Sequence, residues 1–156
     1  MEKADRIETL DRIEKRIVLR APRSRVWRAL SRPEEFGAWF GARLDAATFE
    51  PGARVTGRIA FPGYEHWTFE LTVERVEPER LLSYRWHPYP VPGRDYSGEP
   101  MTLVEFRLEE VAGGTELTVV ESGFDRVPLD RRAQAYRMNE GGWAEQLRNV
   151  ERHVSK

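Results

Sequence analysis

The stretch LDRRAQAYRMNEGGWAEQLRNVERHV, residues 129–154, decides how the rest of the chain is read. Tyr136, Glu140, Trp143, Leu147, Val150 and Val154 recur at steps of four and three, the spacing of one helix face. The pattern predicts a helix over roughly 129–154. Gly141-Gly142 interrupts the run, and each glycine costs about 1 kcal/mol relative to alanine in a helix interior. Such a cost makes sense if small size there lets something approach closely.

Working back from that helix, the chain reads mostly as strands. GGTELTVVESGF (113–124) leaves a Gly-Gly turn and aligns Leu117, Val119 and Glu121 on one parity. MTLVEFRLEEV (101–111) groups Val104, Phe106 and Leu108, and RLLSYRWHP (80–88) groups Leu82, Tyr84 and Trp86. HWTFELTVERVEP (66–78) alternates Trp67, Phe69, Leu71 and Val73 with polar residues, and EPGARVTGRIAF (50–61) alternates after a Pro-Gly turn. RIEKRIVLRAP (12–22) sets Ile13, Ile17 and Leu19 on one side and ends at Pro22. Alternation on one parity at short spacing predicts a meandering antiparallel sheet with one covered face. Between the first two strands, SRVWRALSRPEEFGAWF (24–40) carries an apolar stripe broken by Pro33, so two short helices are expected there.

Composition narrows the function. The chain has 156 residues, with 25 basic and 26 acidic ones spread along it and a net charge of −1. That balance argues against a nucleic-acid binder, which needs a basic stripe. There is no cysteine, so disulfides, thiolate nucleophiles and Cys-bound zinc are excluded. The opening MEKADRIETL is charged and reads as no secretory signal, and no run approaches the ~18 apolar residues of a membrane span. The expectation is one cytoplasmic domain over 1–156, with residues 1–8 as a flexible extension and no membrane insertion.

Several phrases together carry a resemblance. They are I-x-L-x-A-P-x-x-x-V-W-x-A-L (17–30), PEEFGAWF (33–40), VEPERLLSYRW (76–86), GGTELTVVESGF (113–124) and GGWAEQLRNV (141–150). In this order they resemble the START-like (SRPBCC) helix-grip superfamily, in the subfamily related to the C-terminal domain of the activator of Hsp90 ATPase. The resemblance implies an α+β fold: a curved antiparallel sheet of six to seven strands wrapped around the long C-terminal helix, two short helices after the first strand, and a cavity between sheet and helix. The 156 residues hold no counterpart of the N-terminal domain that accompanies this module in the eukaryotic co-chaperone. What the resemblance implies is thus more a fold than a task.

Five Trp, seven Phe and five Tyr are many rings for one domain of this size. Large rings on both walls are expected to hold sheet and helix apart and leave an apolar pocket for a small apolar or aromatic molecule. The candidate lining is Trp67, Phe69, Tyr84, Trp86 and Phe106 from the sheet, Met138, Trp143 and Leu147 from the helix, and Trp39 and Phe40 at the rim. The same residues also suit an ordinary interlocked core, and periodicity does not separate the two. Glu121 shares inward parity, where a carboxylate needs hydrogen bonds or a proton. It is either a ligand contact, a general base, or a strand-end residue that reaches water or an arginine. Glu140, on the helix stripe, raises the same choice.

The loops PGYEH and HPYPVPGRDYSGEP (87–100) are candidate covers of the mouth, offering Tyr64, Tyr89, Arg94 and Tyr96. His66 and His87 lack a metal-ligand spacing, so no metal or cofactor is expected. Arg126, Arg131, Arg132 and Arg137 read as a solvated face. Three functions compete: a small-molecule binding domain; a cyclase, dehydratase or hydrolase using Glu121 or Glu140; and a protein-interaction module with a chaperone or stress-response association. A homodimer is compatible with all three.

Overall fold

The computed structural model describes residues 11–155. The extension expected at 1–8 lies outside them. A seven-stranded antiparallel sheet has the order β1-β7-β6-β5-β4-β3-β2. Its strands are β1 (Arg12–Leu19), β2 (Ala42–Leu44), β3 (Arg54–Ile59), β4 (Thr68–Glu77), β5 (Leu81–Trp86), β6 (Thr102–Val111) and β7 (Gly114–Ser122). From β2 to β7 the sheet is a meander, and β1 adds itself beside β7. The short helices α1 (Arg23–Ser31) and α2 (Pro33–Phe40) follow β1, and the long helix α3 (Leu129–Val154) closes the chain after a single turn at Phe124–Arg126. The architecture is the α+β helix grip.

Local chemistry accounts for the breaks. Pro33 forces Arg32 into extended backbone (φ −96°, ψ 119°), which ends α1, and then serves as the first residue of α2. Gly41 ends α2 in the left-handed region (φ 92°), with its N–H donating to the Gly37 carbonyl at 2.8 Å. A register shift in β4 between Val73 and Arg75 bends the strand where the sheet curves. Among the described residues, no helix is long and apolar enough to cross a membrane.

One face of the sheet is covered, as strand parity predicts. On β6 and β7 the side chains of Val104, Phe106, Leu108, Leu117, Val119 and Glu121 are buried. Helix α3 lays Ala135, Tyr136, Trp143, Leu147, Val150 and Val154 against this side. The Tyr136 hydroxyl donates to the Arg12 carbonyl at 2.9 Å, tying α3 to β1.

The aromatic walls meet each other. Phe36 lies within ring-contact range of Trp39 (4.7 Å between centroids), Phe40 (5.3 Å) and Phe49 (5.7 Å). Trp86 of the sheet and Trp143 of the helix stack at 5.7 Å with 27° between planes. Phe106 stands edge-on to Trp143 at 5.6 Å. The expectation that bulky rings hold sheet and helix apart is therefore corrected at this point. The rings differ in tilt and interlock as edge-to-face and offset pairs, which is how aromatic cores close. Two small clefts remain beside Trp86.

Tyr84 is fully buried among these rings, and its hydroxyl has no partner among the described residues. A buried unpaired hydroxyl costs roughly 1–3 kcal/mol. Tyr84→Phe should therefore leave stability unchanged or raise it by about 1 kcal/mol in urea unfolding. A loss of more than about 1 kcal/mol would show that the hydroxyl is satisfied in the native state.

Candidate functional site

Glu121 sits at the end of β7, fully buried and opposite Val104 of β6 and Ile13 of β1. Among the described residues no lysine or arginine pairs with it; instead it is met by neutral donors from three elements. The Trp86 indole of β5 donates to Oε2 at 2.8 Å, and the Thr102 hydroxyl of β6 lies 2.6 Å from the same oxygen. From α3, the Trp143 indole donates to Oε1 at 2.8 Å. The Asn139 amide donates to Oε1 at 2.9 Å and to Oε2 at 3.2 Å. Indole N–H groups can only donate, so this cluster is built around a carboxylate. Burial pushes the Glu121 carboxyl up from its usual 4.5, against the downward pull of Thr102, Trp86, Trp143 and Asn139. Burial, and secondarily the charge of Glu121, pushes the Tyr84 phenol well up, so it stays neutral.

Two clefts adjoin this cluster and share Phe40, Trp86 and Asn139. The larger one, about 160 Å³, is lined further by Ile59, Trp67, Phe69, Tyr89 and Pro90, with Thr68, Glu70 and His87 at its polar edge. The smaller one, about 100 Å³, is completed by Gly142, Trp143 and Gln146. Trp67 and Tyr89 stand 6.1 Å apart between ring centres. Tyr89 adopts the left-handed region (φ 46°), which is uncommon for a large side chain. A Cβ built on Gly142 would meet no atom within 4 Å, so the glycine opens onto the cleft and makes no close backbone contact.

Of the residues expected to line a pocket, Phe40, Trp67, Phe69, Trp86 and Trp143 come together here. Trp39, Tyr84, Phe106 and Leu147 are buried core. Trp39 has a structural bond, its indole donating to the Ala29 carbonyl at 2.8 Å to lock α2 onto α1. Met138 is 48% exposed and lines neither cleft. Glu140 is also exposed and lies 3.9 Å from the Lys15 ammonium, so Glu121 and Glu140 do not form an inward carboxylate pair. Tyr64 is exposed beside Trp67.

Arg131 corrects another expectation. It is buried, whereas the sequence pattern puts it on a solvated face. Its guanidinium pairs with Glu99, donates to the Pro88 carbonyl at 2.9 Å and covers the Tyr96 ring at 4.7 Å. Arg94 joins the same Glu99 at 3.1 Å. These bonds fasten the long loop 87–100 to the start of α3 and hold Tyr89 and Pro90 at the larger of the two clefts.

Asn139 and Gln146 are site residues that sequence reading misses, whereas Gly142 is flagged there through its helix cost. Asn139 lies three residues after Tyr136 and four before Trp143, which is a helix-face spacing. Glu140 fits the same stripe equally well, so spacing alone did not separate them.

The sequence model of the family described as "Activator of Hsp90 ATPase homolog 1-like protein" matches residues 20–155. The chain belongs to this family. Among solved structures, protein MLL2253 from Mesorhizobium loti is 24% identical with a TM-score of 0.73, covering 92% of this chain and 96% of that one. A protein from Arthrobacter aurescens reaches a TM-score of 0.77 at 17% identity, covering 96% and 88%. DynU16, from the dynemicin biosynthetic locus, is 27% identical with a TM-score of 0.71. It is similar over 94% of this chain, which spans 48% of DynU16. The first two likenesses are likenesses of fold. No curated protein matches the chain. Members of the Activator of Hsp90 ATPase homolog 1-like family share the SRPBCC fold, which often holds small hydrophobic ligands; among the clefts of the described residues, these two small ones are walled by aromatic rings, while larger clefts of about 740, 440 and 270 Å³ lie elsewhere on the surface.

The raised carboxyl of Glu121 has a stability consequence. Its folded pKa lies above the unfolded value, so the native state holds the proton more tightly than the unfolded chain does. The contribution of this group is full below the unfolded pKa and is lost as pH rises through the folded one. Wild-type protein should therefore lose stability relative to Glu121→Gln as pH rises from about 4 to about 8, because the amide does not titrate. Urea unfolding of both proteins across this range checks it, and a difference that stays flat with pH overturns it.

Proposed function

We propose that this domain binds a small aromatic or apolar molecule in the paired clefts around Trp86 and Asn139. The observation that carries this reading is Gly142. Two adjacent glycines weaken an otherwise well-patterned helix, and no atom of the described residues uses the room Gly142 provides. That room opens into a cleft walled by Phe40, Trp86 and Trp143. Clefts of about 160 and about 100 Å³ fall below the ~300–1,000 Å³ of drug-sized sites. They suit one ring, or a larger molecule that lies partly outside; a 150 Å³ apolar cavity is enough for benzene. The likeness to DynU16, a protein of a biosynthetic locus, is compatible with a small-molecule ligand.

Catalysis by Glu121 is the weaker reading. A carboxylate has about four lone-pair positions, and here both oxygens already accept at least two bonds each. A general base needs a free lone pair within reach of the proton it takes. Glu121 is placed to hold its neighbours in position.

The test is Gly142→Leu. Position 142 lines the smaller cleft, so the added side chain is expected to fill it, and leucine is a better helix former by roughly 0.8 kcal/mol. The variant should fold with equal or higher stability and should lose binding of single-ring aromatics that stabilise the wild type in a thermal-shift panel. Equal shifts in both proteins, or no shift in the wild type with any aromatic tested, would overturn the proposal.

A further inference from the structure

We infer that Asn139 makes the clefts selective for aromatic molecules carrying a hydrogen-bond donor, such as a phenol, and that Glu121 imposes this selectivity by fixing which way the Asn139 amide points. The inference rests on the binding reading above and names the ligand chemistry of that site.

An asparagine side chain offers a donor end and an acceptor end of nearly the same shape. Its orientation is decided by its neighbours. Each Glu121 oxygen already accepts an indole N–H, from Trp143 on Oε1 and from Trp86 on Oε2. An amide oxygen turned toward this carboxylate would set acceptor against acceptor. Asn139 therefore presents its NH2 group to Glu121, with Nδ2 at 2.9 and 3.2 Å from the two oxygens. Its carbonyl Oδ1 is then the end left for the clefts. Asn139 lines both of them, and no donor among the described residues meets Oδ1.

The other polar groups at the clefts are engaged or do not discriminate. Gln146 donates to the Phe40 carbonyl at 3.0 Å and accepts from Asn149 at 3.0 Å. His87 meets the Glu99 carbonyl at 3.0 Å, and Glu70 pairs with Arg54 at 2.7 Å. The hydroxyls of Thr68 and Tyr89 can donate or accept, so they favour neither kind of ligand. Asn139 Oδ1 is the acceptor-only side-chain group at both clefts, whereas the Glu70 carboxylate and the second ring nitrogen of His87 stand at the polar edge of the larger one alone. A ligand acceptor placed against it would leave two desolvated lone pairs facing each other, whereas a ligand donor satisfies both.

Two isomers test this with shape nearly held constant. 4-Methylphenol carries a donor, and methoxybenzene has the same atoms without one. Each is titrated into the full chain by 1H–15N NMR, following the indole signals of Trp86 and Trp143. The wild type should bind 4-methylphenol about fivefold more tightly, the worth of one net hydrogen bond. Asn139→Leu removes the acceptor, and Glu121→Gln supplies an amide N–H that engages Oδ1; in both, the ratio should fall to near one.

Equal affinity of the wild type for the two isomers overturns this inference and leaves the binding reading standing. A ratio retained in Asn139→Leu also overturns it. Absence of binding by either isomer at tens of millimolar overturns both readings for single rings. Where a variant does not fold, the wild-type pair of titrations decides.

Discussion

The structure turns on a carboxylate buried without a cation. Moving a carboxylate out of water costs several kcal/mol even after the protein relaxes. Glu121 tolerates it because four neutral groups converge on it from β5, β6 and α3. Hydrogen bonds to a charged group contribute roughly 1.5–3 kcal/mol each, so the cluster holds only while nearly all of them are made. That condition is geometric. It requires the end of β5 to lie beside β6 in one register, which the pairing of Trp86 with Thr102 provides. It also requires α3 to sit at one depth and rotation, with Asn139 and Trp143 both turned toward the sheet. A purely apolar contact between helix and sheet would tolerate sliding; this one does not. Replacing a buried charge by apolar residues is often neutral or stabilising. Glu121 is therefore better understood as a device for position than as a source of stability.

The position it enforces explains both the closed centre and the open edge. Trp86 and Trp143 point their N–H groups at the same carboxylate, which brings their rings into a stack. The stack fills the space where a central cavity was expected. The same constraint leaves the outer faces of the rings toward Phe40, Gly142 and Asn139. Helix α2 ends there because Gly41 takes the left-handed conformation, placing Phe40 at the cleft and Trp39 in the core. From the other side, Arg131 fastens the loop that carries Tyr89. Two buried charged residues, Glu121 and Arg131, thus set the walls of the clefts, one through neutral donors and one through an ion pair and a ring face.

Much of this was legible before the structure. Period-two alternation identified six strands and their buried parity, including the inward direction of Glu121, because parity is a property of the backbone alone. The long helix and the break at Pro33 between the two short ones were legible as well, because proline acts locally; Gly141-Gly142, read as an interruption, leaves the long helix continuous. The three-residue β2 was not, since Ala42–Leu44 is too short to alternate. Ring interlock was not either, because it depends on tilt, which no periodicity encodes. Arg131 looked like its neighbours in sequence; only the returning loop, with Glu99 and Tyr96, buries it. The choice between Asn139 and Glu140 fails for a related reason. Both fit the stripe, and what selects Asn139 is a carboxylate 18 residues away on another element.

This last point bears on how such a fold acquires different ligands. A carboxylate saturated by indoles and an amide cannot itself change partners without losing the alignment of α3. The residues beyond it are under no such constraint: a Cβ at Gly142 would meet no atom within 4 Å, and Tyr89 rides on a loop. Substitution at these two positions alters the size and polarity of the clefts while the Glu121 cluster keeps helix and sheet in register. The division matches a general expectation, in which sites are grafted onto a scaffold that fixes their geometry. It also explains why the cost of Gly142 is tolerable. The helix is held by the cluster and by its apolar face, so a propensity loss of about 1 kcal/mol at one exposed position does not unseat it.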